Sequence, residues 1–211
     1  LRYKPDERSS IYASYSKGYK AGILDVGGST GNPVAPEDIN AFEIGYKRSE
    51  GGLSYEAAGF YYDYKNLQVS LFQGNPPSAQ IINAASARIY GLEGSVNYAP
   101  GGGFSVNAGL AWTHGRYRDF PGAPIYTRCP TIAGCGGGTS FFVQGTNLRN
   151  VTMQRTPEFT GNLGAAYDTD LGGGKLKLSG NLYYSSKFFF APSGTQFPQK
   201  AYEVLSLRAQ W

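Results

Sequence analysis

The sequence predicts an all-β protein, a transmembrane antiparallel up-and-down sheet of about eight strands with two faces of opposite polarity. Three observations predict it. Apolar and small or polar side chains alternate in segment after segment, the period-2 mark of a strand, and no window keeps a helical period. Charged residues are 16% of the 211-residue chain, where soluble domains carry about 25%, while aromatic residues reach 15%. Short glycine turns alternate with long loops from one end of the chain to the other.

Strands are expected at about 9–19, 38–50, 53–72, 81–99, 103–118, 157–168, 174–187 and 200–211. Leu1 to Tyr3 precede KPDER, a run of turn composition, and look like the tail of an earlier strand. In the third strand SYEAAGFYYDYKNLQ puts aromatic residues on both parities, so no facing is assigned to residues 60–64. In the fourth, Arg88 shares the parity of Tyr90 and Leu92, where a long side chain can snorkel from the outer rim. The fifth separates cleanly: Phe104, Val106, Ala108, Leu110 and Trp112 on one parity, Ser105, Asn107, Gly109, Ala111 and Thr113 on the other. The sixth sets Phe159, Leu163 and Tyr167 against Thr160, Asn162 and Gly164. The seventh sets Leu176, Leu178 and Leu182 against Lys175, Lys177 and Ser179, and the eighth sets Leu205, Leu207 and Trp211 against Ser206, Arg208 and Gln210.

The tight connections are Glu50 to Gly52, Ala99 to Gly103 and Thr169 to Gly174, where glycine supplies positive φ. The long ones are Lys20 to Glu37, Gln73 to Gln80, Asp119 to Thr156 and Phe188 to Gln199. In a meander, all short turns then fall at one end and all long loops at the other, as in outer-membrane barrels, whereas Greek-key sandwiches have no reason to sort them. A soluble antiparallel sheet gives the same alternation of faces. Low charge, sorted loops and aromatic residues near the ends of the apolar face decide for a membrane wall. The Phe104 parity then meets lipid, and the Ser105 parity meets a polar interior.

Other classes drop out. A net charge of +4 without a basic run gives no footprint for nucleic acid. Gly27, Gly28 and Gly31 have no following helix, so they form no phosphate cradle. Cys129 and Cys135, in RCPTIAGCGGG, match no common zinc spacing and have no neighbouring histidine; a local disulfide in an oxidising compartment is expected, with two free thiols as the alternative. No catalytic constellation is visible, and no metal site or cofactor is expected. An outer-membrane protease or lipase would need a Ser/His/Asp or Asp/His group at the rim, and the one histidine, His114, lies on the lipid parity.

IYASYSKGYKAG at Ile11 to Gly22, AFEIGYKRS at Ala41 to Ser49, AAGFYYDYKNLQV at Ala57 to Val69 and ARIYGLEGSVNYAP at Ala87 to Pro100 resemble, in order and spacing, the C-terminal part of the barrel of TonB-dependent outer-membrane receptors. Later strands, including AYEVLSLRAQW, match more loosely. The resemblance implies a partial arc of a 22-stranded barrel in the outer membrane of a Gram-negative bacterium, filled by a plug domain elsewhere in the chain. It implies import of a scarce nutrient, most commonly a ferric siderophore, with energy from the TonB complex. Leu1 is not a start methionine, so a processed or partial chain is expected, with the plug and the TonB-binding segment absent.

Glu43, Lys47 and Glu93 share the inward parity and match charged positions of the family blocks, which implies lumen- or plug-facing roles. The loop from Asp119 to Thr156 is the candidate ligand surface, because a loop this long in a compact fold is usually functional or disordered. Tyr126, Phe141 and Phe142 offer rings for stacking, and Arg128, Arg149 and Arg155 offer planar donors for an anionic chelate. A closed eight-stranded barrel with an adhesion or structural role is the alternative. Its narrow lumen would be underfilled by inward residues as small as Ser105, Gly109, Thr160 and Gly164.

Overall fold

Alternation settles the local state of most of this chain, and backbone pairing settles where each strand lies. The structure, a computed structural model, describes residues 1–25, 31–73, 78–83, 86–128 and 141–211. In chain order the strands are β1 (Arg2–Tyr3), β2 (Ser9–Lys20), β3 (Ile23–Asp25), β4 (Asn32–Val34), β5 (Glu37–Glu50), β6 (Leu53–Lys65), β7 (Gln68–Gln73), β8 (Ser78–Asn83), β9 (Ser86–Gly101), β10 (Phe104–Asp119), β11 (Ala123–Arg128), β12 (Phe141–Thr146), β13 (Phe159–Leu171), β14 (Gly174–Ser185), β15 (Phe188–Phe189), β16 (Pro198–Gln199) and β17 (Tyr202–Gln210).

Nine of them form one antiparallel sheet in the order β1-β2-β5-β6-β9-β10-β13-β14-β17. Each wall strand pairs with its neighbours along the chain, the expected meander, and the two residues of β1 pair with β2 as a ninth strand. The sheet is open: β1 stands at one edge and β17 at the other, so these residues do not close a small barrel.

The expected strand at 53–72 is two strands. Asn66 takes φ of 53°, a left-handed conformation that asparagine tolerates better than most residues, and the chain leaves the wall there. Gln68–Gln73 then pairs with Ser78–Asn83 in a separate hairpin, so the expected strand at 81–99 also starts later in the wall, at Ser86. Similar hairpins, β3 with β4, β11 with β12 and β15 with β16, occupy three other connections expected as plain loops. At the opposite end β9 and β13 run further than expected, to Gly101 and Leu171. Gly51, Gly102, Gly103, Gly172 and Gly173 hold positive φ in the tight turns.

Directly paired residues share a face, so the register assigns the two sides of the wall. Tyr12, Gly45, Ala58, Glu93, Ala111, Thr160, Ser185 and Tyr202 form one continuous inner row. Ala13, Ile44, Gly59, Leu92, Trp112 and Phe159 form an outer row beside it. The unassigned stretch of β6 divides in the same way. Phe60, Tyr62 and Tyr64 lie opposite Glu43, Ala41 and Ile39 on the inner side, while Tyr61 and Asp63 lie outside. Aromatic residues occur on both parities because each side has a use for them. The Phe60 and Tyr62 rings stack inside at 5.1 Å, and Tyr61 joins Phe42 outside at 6.4 Å. The inner face is therefore less uniformly small than the sequence suggests.

The wall curls around that inner face. A hollow of about 380 Å³ touches both Tyr12 on β2 and Tyr183 on β14. In a flat sheet these strands, six steps apart, would lie about 29 Å from each other.

The outer face carries Ile44, Leu92, Leu110, Leu163, Leu182, Leu205 and Leu207 exposed, an apolar band rather than a core. Tyr15, Phe42, Tyr61 and Tyr90 line its edge toward the long loops in one register row, with Trp112 5.9 Å from Tyr90. Tyr55, Tyr98, Phe104 and Tyr167 line the other edge. From Phe104 to Trp112 is about 27 Å along the strand. At the usual tilt this spans about 20 Å, close to the roughly 25 Å lipid band of outer-membrane barrels.

Candidate functional site

Two places on the inner side gather chemistry. The first is the mid-wall hollow, where β5, β6 and β9 bring Lys47, Glu56 and Glu93 toward one another. Lys47 Nζ lies 2.8 Å from Glu56 Oε2 and 5.4 Å from the centre of the Tyr12 ring. The Tyr12 hydroxyl donates to Glu43 Oε1 at 2.6 Å, and the Ser95 hydroxyl donates to Glu56 at 3.3 Å. Glu43, Lys47, Glu56 and Glu93 all border the hollow. Gly45 keeps the centre open for the Tyr12 ring, since any side chain there would meet it. Glu43, Lys47 and Glu93 thus lie on the expected face, and Tyr12 and Glu56 complete the group. The pair is half-exposed, so its contribution to stability is at most about 1 kcal/mol. On the lipid side a mid-wall lysine would cost about 2 to 4 kcal/mol. Three carboxylates against one ammonium leave the wall acidic here.

The second place is the long-loop end. Residues 150–153 fold back beside β10: the Tyr117 N–H donates to the Val151 carbonyl at 3.0 Å, and the Met153 N–H donates to Gly115 at 3.0 Å. Gly115 is required, because a Cβ there would lie 2.9 Å from Thr156 Cγ2. Val69, Ala87, Tyr117, Phe120, Ala123, Leu148 and Met153 form an apolar cluster under the loops, with the Tyr117 and Phe120 rings 5.2 Å apart. This cluster anchors the β11–β12 hairpin.

The six loop candidates lie on three stretches of backbone. Backbone register places Arg128 opposite Phe141, Thr127 opposite Phe142 and Tyr126 opposite Val143. Arg155 stands apart: its N–H donates to the Phe189 carbonyl at 2.8 Å, and its guanidinium lies 6.0 Å from the Phe190 ring. Arg149 borders an outer-wall hollow with Lys65 and Arg118. Cys129 and Cys135 lie outside the described residues. Among the described residues no three His, Cys, Asp or Glu side chains are grouped to hold a metal ion. His114 sits on the outer side, accepting from Arg116 Nε at 2.9 Å and 5.0 Å from the Tyr90 ring.

The family described as TonB dependent receptor-like, beta-barrel, matches residues 1–211. The chain belongs to that family. Among solved structures, the ferric yersiniabactin uptake receptor FyuA from Yersinia pestis superposes with a TM-score of 0.73 at 17% identity, over 100% of this chain and 28% of that one. The ferric preacinetobactin receptor BauA from Acinetobacter baumannii gives 0.66 at 20% identity, over 99% and 28%. The copper transporter OprC gives 0.67 at 14% identity, over 99% and 30%. The chain spans less than a third of each, and at these identities the likeness is one of fold. Among curated proteins none matches.

Within this receptor barrel, sequence reasoning missed the Phe188 to Phe190 run against Arg155 and the basic side chains of the outer rim. The rim was visible in principle, since Arg116 and Arg118 continue the parity of Trp112. The aromatic run was not, because β15 and β16 are too short to show a period.

Proposed function

We propose that this chain is part of the wall of an outer-membrane receptor that imports a scarce nutrient, a ferric siderophore, with TonB-supplied energy. One observation carries the reading: a family-matched sheet bears an apolar, aromatic-edged outer face and an acidic, hydrogen-bonded inner face. Such a wall makes and breaks no bonds. Its inner carboxylates Glu43 and Glu93, with Lys47 held by Glu56, face a plug domain supplied by the rest of the receptor. Arg128, Arg155 and the rings of Tyr126, Phe141 and Phe142 sit on the long-loop segments and suit an anionic chelate with aromatic groups. Arg149 leaves this set because its hollow is on the outer wall. The siderophore assignment is supported by the ferric-siderophore receptors among the structural neighbours.

The test is iron-limited growth of a Gram-negative strain stripped of its own siderophore receptors and producing the complete receptor. Growth on one ferric siderophore, abolished by removing TonB, is the expected result. Arg128→Ala with Arg155→Ala should raise the siderophore concentration needed by about tenfold, equivalent to roughly 1.4 kcal/mol of lost binding. Growth independent of every ferric chelate, with uptake of copper or a sugar instead, would overturn the cargo.

A further inference from the structure

The long loop returns to the wall through residues 150–153, and one side chain on the outer face of β10 ties that return down. Arg116 donates Nη1 to the Asn150 carbonyl at 2.7 Å. Asn150 is left-handed, with φ of 61°, and its own N–H donates to the Tyr117 carbonyl at 2.9 Å, while Thr152 bridges to Arg116 through the backbone. A second bond aims the guanidinium: Arg116 Nε donates to His114 Nε2 at 2.9 Å, on the same face of the same strand. An imidazole nitrogen accepts only while it carries no proton, so this bond requires neutral His114 with its hydrogen on Nδ1.

The groups around the imidazole decide what a proton does there. Nδ1 lies 3.9 Å from Glu158 Oε1, just before β13. On β9, the Tyr90 ring is centred 5.0 Å away, and Arg88 stands opposite Arg116. On β10, the Trp112 ring is centred 6.4 Å away, and Arg118 is turned to Asp63 at 3.2 Å. A proton on Nε2 converts the acceptor into a donor in front of the Arg116 guanidinium and sets like charges side by side, with Arg88 close by. Glu158 is the carboxylate placed to pair with the imidazolium, and Arg116 then loses the contact that aims it at Asn150. The imidazole is one-quarter exposed, so protons reach it. We propose that His114 and Arg116 form a proton-sensitive latch on the stem of the long loop: neutral imidazole holds the stem against β10, and imidazolium releases it. Histidine is the side chain whose charge ordinarily changes between pH 5 and 8, so the latch responds to mild acid. It acts on the loop proposed above to meet the cargo, and a different cargo would leave the latch as it is.

The complete receptor in detergent is followed by hydrogen exchange and mass spectrometry at pH 8 and pH 5, corrected for the intrinsic pH dependence of exchange. Leu148, Asn150 and Met153 report on the stem, because their N–H groups donate to the Phe120, Tyr117 and Gly115 carbonyls. Their protection should fall about tenfold toward pH 5, the effect of losing one charge-assisted bond, while the β9–β10 ladder is unchanged. His114→Gln offers an acceptor that takes up no proton and should keep the pH 8 protection at both values. Arg116→Gln should show the lower protection at both. Wild-type protection that is the same at the two values, or an acid loss that persists in His114→Gln, overturns the inference. If the variants fail to fold, the wild-type pattern decides: loss confined to the stem supports the latch, and equal loss in the β3–β4 hairpin, which lacks it, overturns it.

Discussion

Asp6, in the turn between β1 and β2, shows how a single residue can fix a turn. The Ser9 hydroxyl donates to both of its carboxylate oxygens at 2.8 and 2.9 Å, the Arg8 N–H donates at 2.8 Å, and Arg48 lies 3.4 Å away. The hydrogen bond from Ser9, then that from Arg8, holds the carboxyl below its ordinary value of 3.8. A carboxyl lowered on folding stabilises above its ordinary value, and the contribution is lost as pH falls through the lower, folded-state value. Asp6→Ala should therefore destabilise the refolded receptor at neutral pH, and the two proteins should converge as the pH drops well below 3.8. Urea unfolding in detergent across that range checks it; a difference that persists unchanged in acid would sink the argument. This turn is visible in the sequence as KPDER and its bonds from Arg8 and Ser9 are equally local, whereas the Arg48 contact depends on β2 and β5 meeting, which no local pattern announces.

At the scale of the element, facing is the quantity that matters. Leu110 is exposed in mid-strand on the outer side of β10, and Ala111 borders the acidic inner hollow directly opposite Glu93. Leu110→Arg should cost about 2 to 4 kcal/mol, as a cation near the bilayer midplane does. Ala111→Arg, offered a carboxylate across the strand pair, should cost less than about 1 kcal/mol. Equilibrium folding into lipid vesicles measures both, and a reversed order of cost would show the faces to be inverted. Strands β10, β13, β14 and β17 were legible because one parity is apolar and the other small or polar. The facing of β6 was not, since the lipid interface and the inner wall both take aromatic residues there. The hairpin β7–β8 escaped for another reason. One left-handed Asn66 redirects the chain without interrupting its alternation. The buried cluster under the loops supplies a further expectation. Phe120→Ala should cost about 3 to 5 kcal/mol locally, so hydrogen exchange should quicken at residues 147–153 while the β9–β10 ladder stays protected. Uniform loss of protection would mean that the cluster is not a local unit.

For the whole molecule, the open sheet sets what the residues can do alone. The wall has two edges, at β1 and at β17, and unpaired backbone groups are not tolerated in lipid. Residues 1–211 produced by themselves should aggregate or stay outside the bilayer, without the heat-modifiable migration of a closed barrel. A folded monomer on such a gel would require the edges to have met. The order of the wall was legible at this scale because short and long connections alternate. The place of residues 150–153 in the wall beside β10 was not, because it depends on backbone bonds to Gly115 and Tyr117, far away in sequence.

The stem of the long loop has a consequence for how such receptors diversify. Leu148 and Phe120 are joined by a backbone bond of 3.2 Å, Asn147 accepts from the Phe120 N–H and donates to Asp119, and both apolar side chains are buried. The hairpin beyond them springs from a clasp built into the wall. Residues 124–146 are in this sense an exchangeable cassette: a different sequence can be inserted between the two halves of the clasp while the lipid-facing band and the acidic lining keep their contacts. That stretch of chain can then change without the barrel having to learn to fold again.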